Sequence, residues 1–265
     1  MNLKTDFDLV IFDWAGTMVD FGCMAPVAAL IEAFEAEGVS IDAAAARRDM
    51  GKAKRDHVEG LFRQPAVASA WLARHGRAAE ELDMERIMAH LGPLMRDHAA
   101  RAATLIPGAR ESFDQVRALG LKVASSTGYT REMMQPVLQR AAEQGYRPDH
   151  VVCSGETPAG RPSPLMIYKA CAELGVWPLS RVVKVDDAEV GIAEGKSAGA
   201  FTVGIASGNL LGLMLEEYEA LPSTERAEHL ARTRKILTDA GADLVIDTVA
   251  TLVPELEGAL QRKAG

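Results

Sequence analysis

Short apolar runs and helical stripes alternate along most of this chain. Leu9-Val10-Ile11-Phe12 is a continuous apolar run bounded by Asp8 and by Asp13-Trp14-Ala15-Gly16. A run so short, with no polar alternation, predicts a strand buried on both faces, as at the centre of a parallel sheet. Runs of the same kind predict strands at Leu121–Ala124, Val151–Cys153, Val182–Val185 and Phe201–Ile205, with a shorter one at Leu244–Ile246. Helical composition marks Ala109–Leu119 and Arg131–Ala142. Ser163-Pro164 predicts a helix start, with Ser as N-cap and Pro at the first helical position. Strands alternating with helices predict an α/β fold built on a parallel sheet.

One stretch breaks the alternation. From about Gly22 to Thr104 the pattern is helical throughout. Val27, Leu30, Ile31 and Phe34 form one apolar helix face. Further helices are expected around Ala43–Arg48, Lys54–Phe62, Val67–Arg74 and Met84–Ala102. The sheet pattern resumes near Pro107-Gly108. Residues 1–21 and 105–265 are therefore expected to form a sheet-bearing core, and 22–104 a helical insert.

With 265 residues, 48% of them hydrophobic, the chain can bury one large core or two modest ones. A net charge of −8 without a long basic run argues against nucleic-acid or anionic-membrane partners. Local cations would have to hold an anionic substrate against that field. Cys23, Cys153 and Cys171 are odd in number and widely spaced, so neither a disulfide framework nor a CxxC zinc site is expected, and a reducing cytosol fits. Met1–Asp8 is acidic and lacks the apolar core of a signal peptide. No apolar run approaches the ~20 residues needed to cross a bilayer. The expectation is a soluble, cytoplasmic protein.

Ligands of parallel α/β sheets bind beyond the carboxyl ends of the strands. Those ends carry Asp13-Trp14-Ala15-Gly16-Thr17, then Ser125-Ser126-Thr127-Gly128-Tyr129, then Ala159-Gly160-Arg161-Pro162, then Asp186-Asp187. Singly, each is an ordinary cap, turn or surface residue. Together they place a carboxylate, a hydroxyl, a cation and a carboxylate pair at four successive strand ends. Crowded carboxylates repel one another, and a hard divalent cation such as Mg²⁺ relieves the conflict. Thr127 and the Gly128 amide can donate to phosphate oxygens, and Arg161 can neutralise them. Asp13 is then free to attack phosphorus in line.

The Asp-x-x-Gly-Thr motif, Thr127, Arg161 and Asp187 resemble the four motifs of the haloacid dehalogenase superfamily. The resemblance implies a Rossmann-like core with an inserted, mobile helical cap. It also implies an aspartyl-phosphate on Asp13, and Mg²⁺ held by Asp13, the Ala15 carbonyl and Asp187, with Asp186 the alternative. Two positions depart from the pattern. Ala15 stands where most phosphatases and mutases of the superfamily carry an acid–base Asp. Ala188-Glu189-Val190-Gly191 lacks a second late Asp, so coordination would lean on water or Glu189.

A narrower resemblance covers nearly the whole chain. Phe12-Asp13-Trp14-Ala15-Gly16-Thr17, Gly22-Cys23-Met24-Ala25-Pro26, Met50-Gly51-x-x-Lys54-x-Asp56-His57-Val58, Thr127 to Met134 and Pro158 to Pro162 are similar to the phosphonoacetaldehyde hydrolases. That family cleaves a carbon–phosphorus bond to give acetaldehyde and phosphate, using a cap lysine that forms a Schiff base. The matching residue is Lys54. A departing carbanion needs an electron sink more than an acid, so Ala15 and Lys54 make sense together. Condensation needs a neutral amine, whereas free Lys titrates near ~10.4. Burial or nearby cations must therefore depress it, and Lys52, Arg55 and His57 are compatible with that. His57, one helical turn on, is a candidate proton relay. Lys52 is expected to be a surface charge, Met50 and Cys23 to pack beside the substrate, and Tyr129 to line the site. The resemblance implies phosphonate catabolism and a homodimer. The rival expectation is a Mg²⁺-dependent small-molecule phosphatase or phosphomutase on the same fold, against which Ala15 argues.

Overall fold

A computed structural model of the protein describes residues 3–264; positions 1, 2 and 265 of the expected core lie outside the described residues. A short helix α1 (Leu3–Asp6) precedes β1 (Leu9–Phe12). Five helices follow: α2 (Met24–Ala36), α3 (Ala43–Arg47), α4 (Lys54–Arg63), α5 (Pro65–His75) and α6 (Glu81–Ala102). Alternation then sets in with α7 (Ala109–Ala118), β2 (Lys122–Thr130), α8 (Arg131–Glu143), β3 (His150–Ser154), α9 (Leu165–Leu174), β4 (Val182–Asp186), α10 (Glu189–Ala198) and β5 (Phe201–Ile205). Two helices, α11 (Leu215–Ala220) and α12 (Ser223–Asp239), lead to β6 (Leu244–Ile246), and α13 (Leu252–Ala264) follows.

The six strands form one parallel sheet in the order β3-β2-β1-β4-β5-β6. This is the expected Rossmann-like α/β fold with a helical insertion after β1. Every residue of β1 is fully buried, which is why its sequence is uninterrupted apolar. Its neighbours are β2 on one side and β4 on the other, so strand order reverses at β1 and a crevice opens beyond Phe12.

Two expectations need correction. β2 does not stop at Ala124 but runs on to Thr130, with a register shift against β3 between Thr127 and Thr130. Its serines look like a loop by composition. They stay in the sheet because their hydroxyls find buried partners: Ser125 Oγ lies 2.8 Å from the Tyr146 hydroxyl, and Ser126 Oγ donates to Glu194 at 3.1 Å. Helix α9 starts at Leu165, because the Pro164 carbonyl accepts the first helical bond, from Tyr168 N. Ser163 therefore lies in the preceding turn.

The insert packs on its own aromatic centre. Phe34, Phe62 and Trp71 meet with ring centroids 4.9–6.4 Å apart. Full burial of such side chains is worth about 1.5–3 kcal/mol each. The apolar core is continuous from Val10 and Phe12 of the sheet to Leu30 and Phe34 of the insert. Asp20 secures the entry to α2, its two carboxylate oxygens accepting from Met24 N at 3.0 Å and Ala25 N at 2.9 Å. Among the described residues no helix is long and apolar enough to cross a membrane.

Candidate active site

Asp13 leaves the end of β1 with its backbone N–H donating to the Val185 carbonyl of β4 at 2.9 Å, which points the carboxylate over the sheet edge. Gly16 then turns the chain at φ +89°, and a Cβ there would lie 2.0 Å from Asp187 Oδ2. No other residue satisfies both constraints. Asp187 follows β4; its Oδ1 accepts from Thr17 Oγ1 at 3.1 Å and its Oδ2 from Asn209 N at 2.5 Å.

The Arg161 guanidinium lies under Asp13 and is fully engaged by the protein. Nη2 contacts Asp13 Oδ1 at 2.7 Å and donates to the Ser126 carbonyl at 2.6 Å; Nη1 lies 3.4 Å from Asp186 Oδ2. Nε is 3.0 Å from Glu194 Oε2, an ion-pair contact whose angle is too poor for a hydrogen bond. Below it, Lys184 Nζ pairs with Asp186 Oδ2 at 2.8 Å and reaches Ser126 Oγ at 3.0 Å and Glu194 Oε2 at 3.5 Å. All these groups are buried.

The charges of this cluster do not balance. Asp13, Asp186, Asp187 and Glu194 face only Arg161 and Lys184 as direct ion-pair partners. Burial, then the charge of Asp186, raises Asp13 against the pull of Arg161 and Lys184. Burial, then Asp13 and Asp186, raises Asp187 well above the usual carboxylate range. Asp186 goes the other way: burial is outweighed by Lys184 and Arg161. Oxygens of Asp13, Asp186 and Asp187 lie within 4.8 Å of one another. A divalent cation fits this donor set in charge and in kind. Asp187, with no ion-pair partner of its own, is the more available member of the pair; Asp186 is held by Lys184. Glu189 is exposed at the start of α10.

The insert closes the site from above. A cavity of about 20 Å³ is lined by Asp13, Ala15, Cys23, Met50, Gly51, Lys52, Lys54, Thr127, Gly128, Tyr129, Arg161, Asp187 and Ala188. That is room for about one water molecule. Gly128 permits the closure, since a Cβ there would meet the Lys52 carbonyl at 2.6 Å and that of Gly51 at 2.9 Å. Lys54 is 3% exposed and its Nζ stands 5.3 Å from the centroid of the Tyr129 ring. Burial brings its amine down to about 8, helped by the charge of Arg161 and opposed by Cys23 and Asp13.

The structure thus brings Asp13, Ala15, Cys23, Met50, Lys54, Thr127, Gly128, Tyr129, Arg161 and Asp187 to one cavity, and leaves His57 out of it. His57 is buried behind Lys54, its Nε2 2.8 Å from the Ala46 carbonyl. Burial, then the Lys54 charge, lowers its imidazole to about 3. The expected cationic neighbours of Lys54 also turn away: Arg55 pairs with Glu81 at the surface and Lys52 with Asp49 at 2.5 Å. Burial and Arg161 act on the amine instead. Trp14 turns its ring into the core against Tyr146, centroids 5.0 Å apart, as its sequence position predicts. The sequence reading overlooked Lys184, Glu194 and Asn209. Lys184 carried a signal, because a lysine inside a strand buried on both faces needs a partner; Glu194 and Asn209 carried none.

This fold and this edge define a class. The chain belongs to the haloacid dehalogenase-like hydrolases, whose family model matches residues 7–199. It is 44% identical over 257 residues to the phosphonoacetaldehyde hydrolase of Paraburkholderia phytofirmans, spanning 96% of each chain. To that of Bacillus cereus it is 40% identical over 256 residues, again 96% of each. Its structure is similar to that of a phosphonoacetaldehyde hydrolase-like protein from Oleispira antarctica, with a TM-score of 0.95, 39% identity, and 98% and 94% of the two chains covered. Within the superfamily the chain is therefore an enzyme of the phosphonoacetaldehyde hydrolase family. A hydrolase from Pseudomonas syringae, at 20% identity and a TM-score of 0.71 over 95% of this chain and 98% of that one, shares the fold alone.

Proposed function

We propose that this enzyme hydrolyses the carbon–phosphorus bond of phosphonoacetaldehyde, giving acetaldehyde and phosphate in phosphonate degradation. The observation that carries the reading is a buried lysine amine, brought down to about 8, sharing one small cavity with Asp13. A phosphatase has no use for such an amine, and Ala15 removes its usual acid, which argues against the phosphatase or phosphomutase alternative.

Lys54 condenses with the aldehyde, releasing water and forming a protonated imine. An oxygen of Asp13 attacks phosphorus as the P–C bond breaks, and the electron pair of that bond moves into the imine to leave an enamine. Protonation at carbon and hydrolysis release acetaldehyde and free Lys54. Water then splits the aspartyl-phosphate. Thr127 and the Gly128 amide would hold the phosphoryl oxygens, and Arg161 would fix Asp13 and offset the transferred charge. Tyr129, Met50 and Cys23 would exclude water around the imine. The His57 ring, kept neutral by burial, would steady the Lys54 helix and accept a proton only transiently. Mg²⁺, held by Asp13, the Ala15 carbonyl and Asp187, would supply electrostatic stabilisation of the transferring phosphoryl group. Residues 22–104 would act as a cap over a core formed by 1–21 and 105–265, and two chains would associate as a homodimer in the cytoplasm.

The test is incubation with phosphonoacetaldehyde and Mg²⁺, measuring acetaldehyde and phosphate together, with borohydride trapping and peptide mapping. Equal release of both products, its loss on chelation, and a label on Lys54 are the expected results. Turnover of phosphate esters without any trapped lysine would replace this reading with the phosphatase one.

A further inference from the structure

Arg47, the last residue of α3, reaches from the insert to the sheet. Its Nη1 donates to the Gly22 carbonyl at 2.6 Å and lies 3.2 Å from the Asn209 carbonyl and 3.1 Å from Asn209 Oδ1; its Nη2 is 2.8 Å from Met24 Sδ. Every acceptor is uncharged. A half-buried guanidinium ordinarily matches a carboxylate. Here its planar fork is spent on the link into α2 and on one residue of the core loop after β5, so the contact is directional and not one of charge neutralisation.

Asn209 faces both ways. It is buried, and while its side chain meets Arg47 its backbone N–H donates to Asp187 Oδ2 at 2.5 Å. The loop is pressed against that carboxylate: a Cβ at Gly208 would stand 2.1 Å from Asp187 Cβ. From Arg47 the insert continues through Met50 to Lys54, both lining the cavity. The closed cavity admits no substrate, so loading it requires the insert to lift and then return to the same place. Apolar packing is non-directional and does not specify that return to a fraction of an ångström; a forked hydrogen-bond donor does.

We infer that Arg47 and Asn209 form a clasp between insert and sheet edge, positioning residues that register the Lys54 amine on the Asp13–Asp187 edge. Neither side chain lines the reaction cavity. The inference rests on the proposed reaction, in which Lys54 and Asp13 act on one substrate.

The test compares wild type, Arg47→Met, Asn209→Ala and the double variant, each with Mg²⁺. Asn209→Ala keeps the backbone bond to Asp187 and deletes only the clasp. Each single variant is expected to lose at least about tenfold in kcat/KM for phosphonoacetaldehyde. The double variant should then fall within about twofold of the poorer single, because both changes break one contact. Additive losses, or singles within about twofold of wild type, would overturn the clasp. If Arg47→Met does not fold, Arg47→Lys takes its place in the same cycle, with a smaller loss and the same non-additivity. If wild type itself fails to turn over phosphonoacetaldehyde, the proposed reaction falls and the clasp is judged by solution scattering with Mg²⁺ and inorganic phosphate. A larger radius of gyration for Asn209→Ala than for wild type supports it, and equal radii overturn it.

Discussion

Two lysines are buried in this enzyme, one on each side of the reaction cavity, and their surroundings are opposite. Lys184, in the floor, lies among Asp186, Glu194 and Ser126, each of its contacts polar. Lys54, in the roof, has no ion-pair partner among the described residues; its Nζ faces the ring of Tyr129. Burial with partners keeps a charge in place, where it steadies other charges. Burial without partners makes the charged form costly and delivers a neutral amine near ordinary pH. One residue type thus serves as scaffold in the sheet and as candidate nucleophile in the insert, and the environment alone separates the roles.

The contrast is sharpest if each lysine is changed in turn. Lys54→Arg should abolish carbon–phosphorus cleavage and borohydride labelling, a loss on the order of 10³-fold or more, because a guanidinium stays protonated and cannot condense. Its melting temperature should stay close to that of wild type; residual labelling at another lysine would break the comparison. Lys184→Met should do the converse. It strands Asp186 and Glu194 without their cation, costing about 3–5 kcal/mol. Calorimetry should show a fall in melting temperature on the order of 10 °C. An unchanged melting temperature would mean that Lys184 does not hold the floor together.

The pH profile tests the roof alone. The amine of Lys54 must be neutral to condense, so kcat/KM should climb about tenfold per pH unit up to about 8 and level off above it. Stability should move the same way. Above about 8 the folded amine has lost its proton while the unfolded chain keeps it until ~10.4, so this group's contribution to stability rises with pH across that window. His57 adds no step between 5 and 8 if it stays neutral, and a limb near ~6.5 would show that it titrates. The smallest effect belongs to Lys52→Arg. Its side chain pairs with Asp49 in a partly exposed ion pair, so activity should stay within about twofold of wild type in the same assay.

How far the sequence carried depended on whether the signal was local. β1 was legible because a strand buried on both faces must be apolar throughout. The carboxylate, hydroxyl, cation and acidic pair were legible because a parallel sheet puts every strand end on one edge, so reading only those ends collects Asp13, Thr127, Arg161 and Asp187. Lys54 was legible by motif and by the chemistry that Ala15 leaves unserved. Three things needed the tertiary structure. Ser125 and Ser126 belong to β2 because distant hydroxyl and carboxylate partners satisfy them, and a run of serines in one segment does not announce those partners. The amine of Lys54 is set by burial under Tyr129 and by Arg161, not by the charged residues beside it in the chain, since helix geometry turns Arg55 outward and the turn before it sends Lys52 to Asp49. Arg47 and Asn209 meet only because the insert folds back over the sheet edge. Residue types and their local spacing are written along the chain, whereas charge balance and desolvation depend on which groups are packed within a few ångströms of one another, and only the closed fold decides that.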